Sequence, residues 1–214
     1  MSEINFYNVD NIEFMKTKPD NYYDLAIVDP PYGSSSDATK TNTSNSVNKA
    51  AKRTEYRQFE NVAPTVEYFD ELKRVSKEQI IWGVNFYKNY DLSGGRLCWD
   101  KKGTAFGRAE LAYLSMTKSV NICEIVWNGM IQHDMKNKEL RIHPTQKPVQ
   151  LYRWVLDKYA EKGMKILDTH GGSMTIAKAC DKEGYDLDIC EIDKTYFDNG
   201  VNAYNEYKKQ LTLF

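Results

Sequence analysis

Four consecutive residues, Asp29, Pro30, Pro31 and Tyr32, have the clearest chemical potential in the chain. Each proline drives the residue before it into an extended conformation and removes a backbone N–H, so the turn offers a carboxylate and carbonyl oxygens without competing donors. Such an acceptor cradle suits an amino group with two N–H bonds, Asp29 taking one and the Pro30 carbonyl the other. Both bonds bias the nitrogen toward the tetrahedral geometry from which it attacks a methyl cation equivalent. Tyr32 adds a flat face on which a base can stack. A plain proline-stiffened corner accounts less well for an acid directly before the prolines and an aromatic directly after them.

A second constellation lies at Asp168, Thr169, His170, Gly171, Gly172 and Ser173, between a strand pattern and a helix pattern, with Glu191 at the end of the next strand. Glycines there let the backbone approach a ligand, and an acid about 20 residues further on accepts hydrogen bonds from ribose hydroxyls. The G-x-G-x-x-G of dinucleotide binding is absent. The acids Asp168, Asp181, Asp186 and Asp188 around the loop repel a pyrophosphate and favour a cationic nucleoside such as S-adenosylmethionine. A Gly-Gly turn is also ordinary punctuation between strand and helix, so the loop by itself leaves both readings open.

The elements that must position these residues follow from periodicity. Tyr23–Val28 is a continuous apolar run, the mark of a strand buried on both faces of a parallel sheet, and it runs straight into Asp29. Further strands are expected at 4–9, 79–82, 96–99, 165–167 and 188–192, and helices at 11–18, 64–75, 174–183 and 196–211. Another helix begins at Pro148, carries the stripe Val149, Tyr152, Val155, Leu156 and Tyr159, and ends at Gly163. The runs 111–116 and 122–127 have no helical stretch between them and are read as an antiparallel edge pair. The fold class is therefore α/β, a mostly parallel sheet with an antiparallel edge and helices on both faces, in a single domain spanning 1–214. Of the 28 residues from 34 to 61, 13 are Ser, Thr or Asn, which reads as a mobile loop, and its place just after a strand end favours a lid over a linker.

Composition narrows the function classes. A chain of 214 residues with 41% apolar and 28% charged residues is that of an ordinary soluble domain. No run approaches a membrane span, and the opening MSEINFYNVD lacks the order of a signal peptide, so no membrane association and a cytoplasmic location are expected. Cys98, Cys123, Cys180 and Cys190 form no C-x-x-C pair, and His133, His143 and His170 share no ligand spacing, so no metal is expected. The net charge of -1 hides an uneven distribution: residues 34–61 carry +2, 96–108 carry +3 and 133–147 carry +2, while 168–198 hold eight acids against three bases. The near-neutral total therefore does not argue against a nucleic-acid partner, provided the basic segments gather on one face and the acidic ones line the cofactor end.

DPPYG, followed by IHPTQKP, ILDTHGGSMT and CEID, resembles the S-adenosylmethionine-dependent DNA amino-methyltransferases, in the permuted group whose catalytic motif precedes its cofactor motif. IIWGVNFY, LCWDKKG and AELAY are similar to that family's central strands. The resemblance implies a Rossmann-like methyltransferase fold, double-stranded DNA as partner and S-adenosylmethionine as cofactor. It further implies methyl transfer to the exocyclic amino group of a flipped-out base, within a restriction-modification or phage setting, by a monomer or homodimer. It assigns Asp29, Pro30, Pro31 and Tyr32 to catalysis and Asp168, Gly171, Gly172, Ser173 and Glu191 to the cofactor. His143–Pro148, including Thr145, is placed over the methionine part, with Lys147 partnering its carboxylate. Asp10 is expected to meet the adenine ring and His170 to pack against the cofactor. Adenine N6 is the expected target, with cytosine N4 as the alternative, and 128–147 is a candidate recognition segment. Thr169, His170 and Met174 depart from the family's usual Asp-Pro-Phe and small-residue pattern, which motivates a further alternative, a nucleic-acid-binding homologue with impaired catalysis.

Overall fold

The computed structural model describes residues 2–33, 61–103, 107–127 and 131–211. At its centre lies strand β2, Tyr23–Val28, with five of six residues buried. A strand with no polar face to give to water must be covered on both sides and paired on both edges. Its neighbours are parallel strands, β3 (Ser76–Trp82) on one flank and β7 (Lys165–Asp168) on the other. The remaining strands are β1 (Ile4–Tyr7), β4 (Gly95–Asp100), β5 (Ala109–Leu114), β6 (Val120–Glu124) and β8 (Asp186–Cys190). Together they form one eight-stranded sheet in the order β1-β8-β7-β2-β3-β5-β4-β6, parallel except for β5.

Alternate residues of β2 feed two separate cores. Leu25 and Ile27 join Leu151, Val155 and Leu156 of helix α3 (Val149–Tyr159) and Ile176, Ala177 and Cys180 of α4 (Thr175–Glu183). Ala26 and Val28 join Phe14 and Met15 of α1 (Asn11–Lys16) and Tyr68, Phe69 and Leu72 of α2 (Val66–Val75). The last helix, α5 (Lys194–Leu211), covers the α4 side through Tyr204. Each fully buried Leu or Ile is worth about 1.5–3 kcal/mol, so the two faces hold β2 firmly in place.

The topology positions the two motifs. Leaving β2, the chain passes through α2 to β3 on one side; leaving β7, it passes through α4 to β8 on the other. Between the carboxyl ends of β2 and β7 the winding reverses, and a crevice opens there that α/β sheets use for ligands. Asp29 follows β2 and Asp168 ends β7, so both motifs reach that crevice.

The mostly parallel α/β sheet is as the sequence implied, but its antiparallel strand is placed differently. The runs expected as an antiparallel edge pair are not paired with each other. β5 lies inside the sheet, antiparallel to both β3 and β4, and β6 runs parallel to β4 as an edge strand. Both runs are apolar, and apolarity alone does not name a strand's partner. Burial does separate them: Ala112, Tyr113 and Leu114 are enclosed, whereas Val120 and Ile122 are exposed. Residues 34–60, which carry the lid reading, and 128–130 of the recognition segment lie outside the described residues. Among the described residues no helix is long and apolar enough to cross a membrane.

Candidate active site

Asp29 is the first residue beyond β2. One of its carboxylate oxygens accepts from the Tyr32 hydroxyl at 2.8 Å and the other from Lys147 Nζ at 2.5 Å. The Pro30 carbonyl accepts from the Tyr87 hydroxyl at 2.7 Å. Tyr87 follows a single 3-10 turn, Val84–Phe86, at the end of β3, and Phe86 from that turn stacks on Tyr32 with ring centroids 4.7 Å apart and planes 9° from parallel. Gly83 begins the turn at φ +76, and a Cβ there would stand 2.2 Å from Tyr32 Cε1. Backbone conformation and ring contact both require glycine at this position. The end of β3 thus builds an aromatic wall against the Asp29–Tyr32 turn that follows β2.

A chain of alternating charge runs behind that wall. The Lys147 side chain is only 2% exposed, and its ammonium also lies 3.1 Å from Glu110 Oε2, near the start of β5. The other oxygen of Glu110 accepts from Lys101, just past β4. Burial pushes the Asp29 carboxyl above its ordinary value; Lys147 pulls it back down and Glu110 pushes it up. Burial also opposes charge on Glu110, yet Lys147 and Lys101 hold its carboxyl down at about 2. Lys147 shows the same balance, burial working against its charge while Asp29 and Glu110 raise its pKa above the ordinary value. Breaking one link would leave an uncompensated buried charge, at about 3–5 kcal/mol.

Across the crevice, Asp168 accepts the His170 N–H at 2.9 Å, and burial pushes its carboxyl up to about 8, with Asp29 and Glu191 adding to the rise. Glu191 organises the glycine loop from the end of β8. Its two oxygens accept the Gly172 and Asp193 amides, both at 2.8 Å, and burial raises its pKa. Gly172 has φ +50 and Met174 φ +56. The Met174 side chain is fully buried, and a Cβ on Gly200 of α5 would be 2.2 Å from its Cγ. Gly200 is the notch that admits it, so Met174 fills the core beneath the loop.

Thr169 and His170 belong to a polar network joining the loop to the other face of the sheet. His170 Nδ1 pairs with Thr169 Oγ1 at 2.9 Å and Nε2 with the Asn11 amide at 3.0 Å, while the Tyr68 hydroxyl meets Thr169 Oγ1 at 2.7 Å. Burial lowers the His170 pKa to about 3, keeping the ring neutral. Asp10 caps α1, with one carboxylate oxygen accepting the Ile12 and Glu13 amides. Ser173 is buried, with its hydroxyl 2.6 Å from that of Thr175.

The segment 143–148 links the two halves. His143 packs on Gly172, with ring atoms 3.6 Å from where a Cβ would stand, and meets the edge of Tyr196 at 4.3 Å. Burial, with Arg141 and Lys147, lowers its pKa to about 4. Thr145 is exposed, its hydroxyl 3.0 Å from His143 Nδ1. Lys147, expected to meet a cofactor carboxylate, is held by Asp29 and Glu110.

One part of the charge reading is overturned. Asp181, Asp186 and Asp188 do not line the cofactor end. β8 runs parallel to β7, so Asp186 pairs with Lys165 at the opposite edge of the sheet, where its carboxylate accepts the Glu3 amide. Asp188 is buried against the Tyr23 hydroxyl at 2.7 Å, and Asp181 pairs with Lys208 of α5. Only Asp168 and Glu191 of that set reach the crevice. Among the bases of 96–108, Lys101, Lys102 and Arg108 are paired with Glu110, Glu124 and Asp100. Glu110, Lys101, Gly83, Phe86 and Tyr87 were not singled out by sequence. The available signals were a lone acid in the apolar run AELAYL and a glycine followed by aromatics after a buried strand.

Comparison with known proteins points the same way. A DNA methylase family model matches residues 99–202. None of the curated proteins compared with the chain matches it. Among solved structures, the cytosine-N4-specific PvuII DNA methyltransferase superposes with a TM-score of 0.61 at 13% identity, over 95% of this chain and 87% of that one. M1.HpyAVI in complex with SAM superposes with a TM-score of 0.53 at 18% identity, over 93% of this chain and 98% of that one. At these identities the superpositions speak for a shared fold. The family match runs from the end of β4 into α5 and includes the glycine loop and Glu191, so this part of the chain is similar to the DNA methylases.

Proposed function

We propose that this protein transfers a methyl group from S-adenosylmethionine to the exocyclic N6 of adenine in double-stranded DNA. The observation that carries the reading is the meeting of the Asp29–Tyr32 turn with the Asp168–Ser173 loop at the reversal between β2 and β7. The loop fits the cofactor chemically: Gly171 and Gly172 leave the backbone open to close approach, Glu191 offers a carboxylate at ribose-binding spacing, and Asp168 offers a buried carboxyl whose ionisation a cation favours. When bound, S-adenosylmethionine supplies an electrophilic methyl on a sulfonium.

The protein's part is to orient the acceptor nitrogen. Asp29 and the Pro30 carbonyl accept its two N–H bonds and hold its lone pair toward the donor. Tyr32 and Phe86 form the aromatic surface beside it. After transfer the nitrogen is cationic and sheds a proton, for which Asp29, raised above its ordinary range by burial, is the adjacent base. The buried acceptor turn requires the base to leave the duplex stack.

The test is to incubate the protein with unmethylated duplex DNA and labelled S-adenosylmethionine and to analyse the digested nucleosides. N6-methyladenine is expected; N4-methylcytosine would change the base assignment but not the chemistry, and no labelled nucleoside would refute the reading.

A further inference from the structure

Lys147 occupies, on Asp29, the kind of bond that the substrate must make. Its ammonium is a nitrogen donor 2.5 Å from Asp29 Oδ2, beside the Tyr32 hydroxyl at 3.4 Å. An arriving amino group competes with a charged donor for the same oxygen, and charge-assisted bonds are the stronger kind. Simply expelling Lys147 would strand a cation in a site where its side chain is 2% exposed. Glu110 Oε2 resolves this conflict. It is buried and forms an ion pair with the same ammonium at 3.1 Å that is not aligned as a hydrogen bond.

We propose that Lys147 holds the place of the substrate amino group on Asp29 and shifts its hydrogen bond to Glu110 Oε2 when the base arrives, making Glu110 a positioning residue for the methyl acceptor. Lys101 on the other Glu110 oxygen keeps that carboxylate charged and fixed in both arrangements. The shift is a small rotation of one ammonium between two acceptors, so it needs no movement of the sheet. It leaves Asp29 ionised, with Lys147 still its near neighbour. The groups facing Asp29 are Lys147 before α3, Glu110 on β5, Tyr32 in its own turn, Tyr87 after β3, Tyr68 on α2, Tyr152 on α3 and Asp168 at the end of β7.

The inference rests on the proposed methyl transfer, and the experiment keeps the two apart. Initial rates of methyl transfer from labelled S-adenosylmethionine to bulk unmethylated duplex DNA are measured against pH for wild type, Glu110→Gln, Glu110→Asp and Lys147→Gln, with cofactor affinity by calorimetry. Glu110→Gln is expected to raise the KM for DNA about tenfold, the weight of one hydrogen bond to a charged group, and to leave cofactor affinity within twofold. Removing its negative charge moves the acid limb of kcat/KM to lower pH; Lys147→Gln moves that limb to higher pH. Glu110→Asp keeps the charge but shortens the reach, so the KM rises while the limb stays in place. This variant also covers the case in which Glu110→Gln does not fold. An unchanged DNA KM in both Glu110 variants, or limbs that move together for Glu110→Gln and Lys147→Gln, overturns the inference while the function stands. A wild type that transfers no methyl to DNA removes both.

Discussion

Cofactor affinity should rise steeply with pH, because Asp168 is a buried acid that a cationic ligand needs ionised. Burial pushes this carboxyl up to about 8, with Asp29 and Glu191 adding to the rise. At pH 6 a group of that pKa is ionised in about 1% of molecules and at pH 8 in about half, so a ligand that binds the ionised form gains about 50-fold in affinity between them. The sign on the free protein is opposite. An acid whose folded pKa exceeds its unfolded value stabilises the fold at low pH, and that contribution is lost as pH rises from about 4 to about 8. Titration calorimetry of S-adenosylmethionine at pH 6, 7 and 8, in buffers of different ionisation heat, should show the affinity gain and release of about one proton per site at pH 6. Asp168→Asn should bind weakly at every pH. A dissociation constant that varies less than threefold across this range, with no proton release, would refute the argument.

Two glycines carry sharp expectations. Gly83→Ala forces a Cβ to within 2.2 Å of the Tyr32 ring at φ +76, so methyl transfer should fall at least tenfold and stability by about 1–3 kcal/mol, read by initial rates and urea unfolding. Gly200→Ala adds helix propensity to α5, worth up to about 1 kcal/mol. Its Cβ would, however, stand 2.2 Å from Met174 Cγ and 3.3 Å from the Gly172 carbonyl. A net loss of about 1–2 kcal/mol is expected from overpacking, or a melting temperature lower by about 2–8 °C. A Gly200→Ala protein as stable as wild type would show that Met174 repacks freely.

The placement of the Asp29–Tyr32 turn and the Asp168–Ser173 loop was legible because each is a contiguous run at the end of a recognisable strand. Tyr23–Val28 matched its strand to the residue, since a run buried on both faces leaves no ambiguity of period. The position of β5 was not legible: pairing depends on which strand lies beside it in space, and Ala109–Leu114 is as apolar as an edge strand could be. Asp181, Asp186 and Asp188 misled for a related reason. Closeness in sequence to Glu191 says nothing about which edge of a parallel sheet a residue occupies, and Asp186 is at the far edge. Glu110 was hidden because its role depends on Lys147 and Lys101, 37 and 9 residues away along the chain, meeting it behind the wall built by β3.

If Asp29 orients an adenine amino group for methylation, losing its carboxylate removes the modified base. DNA from cells expressing wild type or Asp29→Ala should be digested and its nucleosides identified by mass spectrometry, with calorimetry of the purified proteins to confirm that both bind S-adenosylmethionine. N6-methyladenine is expected with the wild type and none with Asp29→Ala, at comparable cofactor affinity. Equal methylation by the two proteins, or no methylated nucleoside from either, would contradict this role of Asp29.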